Sequence, residues 1–146
     1  MKTLRLLTLV PAALAMSLVF NQVSFAQTPI ILIDKNLQTD PTIVNGTSGG
    51  NVKSNCGNIT TAPSQVIRVK EPLPYLRLTV QSQGKPTLLI DGPGGRFCVM
   101  ADNYSGDKPE LAGFWQAGEY SLYIGDLSQQ QYSYTLSISQ QKQQNK

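Results

Sequence analysis

Histidine is absent from this chain of 146 residues. The absence excludes Ser–His–Asp and Cys–His nucleophile systems and removes the commonest protein ligand of zinc. The sequence also lacks the G-x-S-x-G elbow, the phosphate-binding glycine loop and the dinucleotide-binding fingerprint. A domain of this size without these features is expected to bind a partner rather than to catalyse a reaction.

Catalysis by a pair of carboxylates is the one mechanism that remains to be considered. The candidates are Asp102, Asp107 and Glu110, which lie within nine positions of one another. A glycosidase needs two carboxyl groups about 5–10 Å apart, one of them held protonated by its surroundings. The segment around these three residues is polar and offers nothing that would desolvate a carboxyl group. We therefore expect no catalytic residues in this chain.

A long apolar run occurs near the N-terminus, at residues 6–20, after the positive charges of Lys2 and Arg5. Small residues follow, and the pattern predicts a secretory signal peptide over residues 1–26 that is cleaved before Gln27. A short uncleaved membrane anchor is the alternative, although the run is below the ~20 residues that a membrane-spanning helix needs. No cysteine stands near the cleavage point, which disfavours a lipid anchor.

Cleavage would leave a chain of about 120 residues, which is enough for one domain with one core. It would also remove two of the twelve basic side chains, against nine acidic ones, and leave a nearly neutral chain. Scattered basic residues on such a chain are not the electrostatic footprint of a nucleic-acid-binding protein. We expect a secreted or periplasmic protein with no nucleic-acid partner and no membrane span after cleavage.

Two cysteines, Cys56 and Cys98, lie in the predicted exported part. In an oxidising compartment they are expected to pair, and closing a loop of about 40 residues would stabilise the fold by roughly 3–4 kcal/mol. A reactive or metal-binding thiol is the alternative, but there is no histidine to activate either sulfur.

Residues 118–125 and 132–139 alternate regularly between apolar and polar side chains, which predicts two strands with one buried face each. The polar residues 126–131 between them predict a hairpin loop. Four further strands are predicted at residues 65–70, 75–81, 87–90 and 96–100, with a proline-containing break at 71–74 and a strong turn at 91–95. Because no apolar spacing after residue 26 is helical, residues 54–140 predict an all-β, antiparallel, jelly-roll-like sandwich with one disulfide.

The ends of this domain have different compositions. Residues 27–53 are predicted to be an N-terminal extension or linker, with one edge strand near residues 29–34. Residues 45–51 are rich in glycine and predict a flexible connection. Residues 141–146 contain no apolar side chain and predict a disordered tail.

Several motifs together resemble a known domain. They are a glycine-rich turn at 91–95, a G-x-Y-x-x-x-x-G strand at 118–125 and a Y-x-L-x-I strand at 134–138. Over residues 65–140 the chain resembles the bacterial pre-peptidase C-terminal domain, in a small standalone form typical of cyanobacteria. The resemblance implies a secreted, non-catalytic β-sandwich of the kind that accompanies peptidases, whose relatives in collagenases bind substrate or calcium. The expected difference from that pattern is that no peptidase accompanies the domain in this chain.

Oxygen-bearing side chains at residues 102–110 predict a calcium site, since calcium prefers carboxylate, amide and carbonyl oxygens. The candidate ligands are Asp102, Asn103, Asp107 and Glu110, with Asp126 nearby if the hairpin loop folds toward them. The alternative is that these residues only favour a turn by bonding to their own backbone.

Four aromatic residues are candidate ligand-binding residues, because exposed rings stack on sugars and peptides: Tyr75, Tyr104, Trp115 and Tyr123. Trp115 immediately precedes a predicted core strand, which favours a structural role, and both neighbours of Tyr123 are predicted to point inward.

The leading hypothesis is a non-catalytic module that binds a partner or forms a structural component of the periplasm or cell exterior. The alternatives are a polysaccharide-binding module and a calcium-dependent accessory domain of a secreted protease. The expected partner is a cell-envelope polysaccharide or a secreted protein.

Overall fold

The computed structural model describes Val19, residues 21–24, residues 27–102 and residues 106–143. In these ranges the chain forms eleven β-strands and no helix. The strands are β1 Ile30–Ile33, β2 Thr42–Thr47, β3 Val52–Ser54, β4 Gly57–Ile59, β5 Gln65–Val69, β6 Leu73–Ser82, β7 Pro86–Gly92, β8 Gly95–Met100, β9 Glu110–Trp115, β10 Gly118–Asp126 and β11 Ser133–Ser139. The all-β prediction is confirmed, and no helix in the described ranges is long and apolar enough to cross a membrane.

The strands form two sheets. In the seven-stranded sheet β10 is central: it pairs with β5 and β4 along one side and with β7 along the other, while β1, β3 and β8 lie beyond β5, β4 and β7. The four-stranded sheet has the order β2-β11-β6-β9. The pairings are antiparallel except that of β1 with β5, which is parallel. The predicted antiparallel sandwich is therefore confirmed.

The core lies between the sheets. The inward-facing residues predicted on β5, β6, β10 and β11 are buried as expected, and each large aliphatic side chain among them contributes about 1.5–3 kcal/mol. Those with no measurable exposure include Ile67, Leu76, Leu78, Val80, Leu122, Leu136 and Ile138.

The predicted hairpin between β10 and β11 is wrong, because the two strands lie in different sheets. The fully buried Asp126 fixes the connection between them. Its Oδ1 accepts hydrogen bonds from the Ser128 backbone N–H (2.8 Å) and Oγ (2.6 Å), and its Oδ2 accepts one from the Lys85 N–H (2.9 Å). Alternation along a strand reveals its buried face but not its partner, so the sequence could not distinguish a hairpin from a crossing between sheets.

The N-terminal segment belongs to the sandwich, so the predicted flexible connection at 45–51 is wrong. Thr42–Thr47 forms β2, which pairs along its whole length with β11. A β-carbon on Gly46 would lie 2.5 Å from the Tyr134 Oη, so this glycine makes room for a buried phenol. With β1 on β5 and β3 on β4, residues 27–53 contribute three strands instead of a linker.

The proline-containing break is shorter than predicted. Strand β6 begins at Leu73 and includes Pro74, and its register with β9 shifts between Leu73 and Leu76. A bulge tolerates a proline because a ladder hydrogen bond is already missing there. Most of the predicted signal peptide, and residues 144–146 of the predicted tail, lie outside the described residues.

The predicted disulfide between Cys56 and Cys98 is confirmed, with the two Cα atoms 5.5 Å apart. It joins the segment before β4 to β8 across the outer face of the seven-stranded sheet. Buried Ile59 and Leu89 pack beneath it, together with the half-buried Tyr123. The disulfide therefore covers a second, smaller apolar cluster outside the main core.

Candidate functional site

A polar groove of about 660 Å³ crosses the outer face of the four-stranded sheet, and we call it the sheet groove. Strand β6 contributes the outward side chains of Arg77, Thr79 and Gln81, because the alternate residues Leu76, Leu78 and Val80 face the core. The remaining lining residues come from β2, β9, β11 and the flanking segments: Ile43, Asp102, Lys108, Glu110, Thr135, Ser137 and Gln143.

The strand register lines up these polar groups in rows across the sheet. Ser137 pairs with Thr79, and Thr79 pairs in turn with Glu110. In the next row Thr135 lies between Asn45 and Gln81, and its Oγ1 donates a 2.9 Å hydrogen bond to the Asn45 Oδ1. The face therefore offers hydroxyl and amide groups at the regular spacing of a β-sheet, about 4.8 Å between strands.

Arg77 is held in place at this surface. Its side chain is 18% exposed, and its Nη1 lies 3.9 Å from the Glu110 Oε2. The Thr79 Oγ1 donates a 3.1 Å hydrogen bond to that same oxygen. The Arg77 Nε is buried and has no hydrogen-bond partner in the part of the chain that the structure describes.

The structure brings two of the predicted calcium ligands into one groove and separates the others. Asp102 and Glu110 both line the sheet groove, whereas Asp107 lines a different cavity beside Lys85 and Ser128. Asn103 lies outside the described residues. Asp126 is engaged by Ser128 and Lys85, and the described residues contain no cluster of three or more His, Cys, Asp or Glu suited to a metal ion. The calcium site stays a prediction.

The predicted aromatic ligand-binding residues do not share a surface. Tyr75 lies half-buried on β6, with the Lys142 Nζ 5.7 Å from its ring centroid, whereas Tyr123 lies on the other sheet beside the disulfide. Trp115 is only 4% exposed, and its Nε1 donates a 3.1 Å hydrogen bond to the Leu76 carbonyl. Tyr104 lies outside the described residues. The burial and the hydrogen bond of Trp115 fit the structural role that the sequence favoured for it.

The residues that form the sheet groove were not predicted from the sequence, above all Arg77, Thr79, Thr135 and Ser137. Their signal was present, because they are the outward residues of two strands whose inward residues were identified. What the sequence could not supply was the adjacency of β6 and β11, which makes one surface of them.

A second, apolar cleft of about 340 Å³ lies between β8 and β9, and we call it the edge cleft. Phe97 and Phe114 line it, and Phe114 is 65% exposed. Tyr120 lines it as well; its Oη donates a 2.9 Å hydrogen bond to the Gln116 carbonyl, and burial raises the pKa of its phenol. Of the aromatic residues predicted to bind a ligand, Trp115 also lines this cleft.

Comparison with known proteins agrees with this architecture. No protein-family model matches the chain. An uncharacterized protein of Synechococcus elongatus is 39% identical over 123 residues, which are 80% of this chain and 87% of the relative. The pre-peptidase C-terminal domain of a collagenase from Bacillus anthracis superposes with a TM-score of 0.51 at 14% identity, over 77% of this chain and 97% of that domain. The chain therefore belongs to the family of the Synechococcus elongatus protein and has a fold like that of the pre-peptidase C-terminal domain, as its motifs predicted.

Proposed function

We propose that this chain is an exported, non-catalytic module that binds a cell-envelope polysaccharide in the sheet groove. The observation that carries the proposal is the set of rows of hydroxyl and amide side chains across an open face, with Arg77 held among them. Sugars are recognised by such convergent donors and acceptors, and an open groove admits a chain ligand of any length.

The charges of the groove favour a ligand that is neutral or only weakly charged. Arg77 and Lys108 supply positive charge and Asp102 and Glu110 supply negative charge on the same lining. A polyanion such as nucleic acid would be repelled by the carboxylates as much as it is attracted by the bases. The guanidinium of Arg77 presents a planar fork of donors, which suits vicinal hydroxyls or a single uronic carboxylate.

The disulfide and the predicted signal peptide support export. Disulfides persist in oxidising compartments and are rare in the cytosol. A module with the fold of a pre-peptidase C-terminal domain, and with no nucleophile–histidine pair in its sequence, is suited to attachment rather than to hydrolysis.

A pair of blocking substitutions on β11 tests the proposal. Ser137→Phe would fill the sheet groove beside Thr79, whereas Ser133→Phe puts the same ring on the same strand, four residues away and outside the groove lining. We expect the oxidised wild-type protein and S133F to retain hits on a glycan array, and S137F to lose them. Folding of both variants is checked by their far-ultraviolet spectra.

The absence of any glycan hit with the oxidised wild-type protein would overturn the proposal. Equal binding by S137F and S133F would also overturn it, because it would show that any sugar site lies elsewhere.

A further inference from the structure

We infer that the edge cleft receives an extended, apolar segment of another protein, which adds as a fifth strand to the free edge of β9. This inference does not depend on the polysaccharide proposal, since it concerns a different surface. Two observations support it: the edge of β9 faces the cleft, and the residues that line the cleft are mostly apolar.

The edge cleft is bounded by β9 and β8, each of which is an edge strand of its own sheet. Strand β9 pairs with β6 and β8 pairs with β7, and neither has a second partner strand in the part of the chain that the structure describes. Six consecutive residues, 111–116, line the cleft. Since successive side chains of a strand point to opposite faces, a continuous run lines a cleft only when the edge of the strand, with its backbone groups, faces it.

The ladder between β9 and β6 shows which backbone groups are free. The Val80 N–H donates a 3.0 Å hydrogen bond to the Pro109 carbonyl, and the register continues with Leu78 opposite Leu111 and Arg77 opposite Ala112. In an antiparallel ladder hydrogen-bonded and non-hydrogen-bonded pairs alternate. Arg77 and Ala112 are therefore a non-hydrogen-bonded pair, and the N–H and C=O of Ala112 point away from β6 toward the edge cleft.

The uncharged, aromatic lining of the edge cleft favours an apolar ligand. Among the described residues, the nine that line the cleft carry no charge, and Phe97 and Phe114 are 41% and 65% exposed. Natural edge strands are commonly protected by lysine, proline or a covering loop, but residues 111–116 include no lysine or proline. An apolar side chain fits such a lining, and only a polypeptide also completes the backbone ladder beside it.

Gly113 adds room for this occupant. Its φ of +148° is a conformation that other residues rarely adopt, and a β-carbon built on it would meet nothing within 4 Å. The missing side chain therefore leaves open space on β9 next to Phe114, where a side chain from an added strand would pack.

Selection of linear peptides tests the inference directly. A phage-displayed library of random linear heptapeptides is panned on the oxidised protein, and we expect enrichment of peptides with a central aromatic or β-branched residue. Binding of a synthetic peptide from the enriched set should fall at least tenfold in Ala112→Pro, which removes the free donor without removing a bond to β6. It should fall likewise in Phe114→Ser.

Leu32→Ser is the matched control, because Leu32 is a similarly exposed apolar residue on β1, an edge strand of the other sheet. This variant should bind the peptide as the wild type does. Amide hydrogen exchange gives a readout independent of folding defects: peptide binding should slow exchange of the Ala112 N–H.

Several results would overturn the inference. They are a failure to enrich any peptide, binding that leaves exchange of the Ala112 N–H unchanged, and loss of binding in Leu32→Ser alone. A concentration-dependent dimer that Ala112→Pro abolishes would assign the edge to a second copy of this chain. Binding of neutral phosphatidylcholine vesicles that Phe114→Ser abolishes would assign the cleft to lipid.

Discussion

The guanidinium of Arg77 lies 3.9 Å from the carboxylate of Glu110 in the lining of the sheet groove. Both side chains are only partly exposed, and Thr79 donates a hydrogen bond to the same carboxylate oxygen. A cation is therefore already provided where the sequence predicted that calcium would bind. The pair also fixes an arginine whose Nη groups would meet a ligand in the groove.

Calcium should consequently have little effect on this protein. We expect its melting temperature to be the same with millimolar calcium and with EGTA, because calcium would have to displace Arg77 from Glu110. Differential scanning calorimetry measures this. A rise of several degrees that EGTA reverses, and that Asp107→Asn removes, would restore the predicted calcium site.

Asp126 should be the acidic residue whose replacement is most costly. Asp126→Asn puts an amide N–H₂ where one oxygen now accepts a hydrogen bond, so at least one buried donor loses its acceptor. We expect a loss of about 1–3 kcal/mol in the free energy of unfolding, measured by urea denaturation.

Asp107→Asn is the control for that substitution, because Asp107 is exposed. It should change the free energy of unfolding by less than about 0.5 kcal/mol. Equal effects of the two substitutions would show that the Asp126 carboxylate does not fix the connection between the sheets.

The sequence was sufficient for the local structure of most strands and for the disulfide. The alternation of apolar residues at Leu76, Leu78 and Val80 identified the buried face of β6. Side chains alternate between the two faces of a strand whichever strand it pairs with. The two cysteines had only each other as partners.

Which strands pair with each other could not be predicted from this alternation. The alternation in β10 and β11 is equally compatible with a hairpin and with two facing sheets. The structure has the second arrangement, because β10 pairs with β5 and β7 whereas β11 pairs with β2 and β6. The glycine at position 46 suggested a flexible connection, but a glycine is needed there because the Tyr134 ring packs against its backbone. Both candidate surfaces depend on strand adjacency, so neither the sheet groove nor the edge cleft was predictable.

The disulfide should contribute a large part of the stability. It closes a sequence separation of 42 residues and covers the cluster of Ile59, Leu89 and Tyr123. We expect the double variant Cys56→Ser, Cys98→Ser to lose about 3–4 kcal/mol in the free energy of unfolding. Dithiothreitol should lower the urea midpoint of the wild type and leave that of the double variant unchanged. A wild-type protein that shows two free thiols under native, oxidising conditions would contradict this expectation.

Alkaline pH should destabilise the protein through two buried phenols. Burial raises the pKa of Tyr134 and that of Tyr120 above their ordinary value of 10.0, and for Tyr134 the hydrogen bond that its phenol accepts from Gln65 partly offsets the rise. The folded state then keeps protons that the unfolded state releases. Stability is accordingly fully present below pH 10 and falls as the pH rises above it.

Urea denaturation between pH 8 and pH 11.5 would measure that fall. Tyr134→Phe should lower stability at pH 8, because the Gln65 Nε2 loses its hydrogen-bond acceptor, yet it should reduce the further loss above pH 10. The two effects have opposite signs, so the substitution separates the hydrogen bond from the titration. If Tyr134→Phe and wild-type protein lose stability in parallel above pH 10, the Tyr134 phenol is not responsible for the alkaline transition.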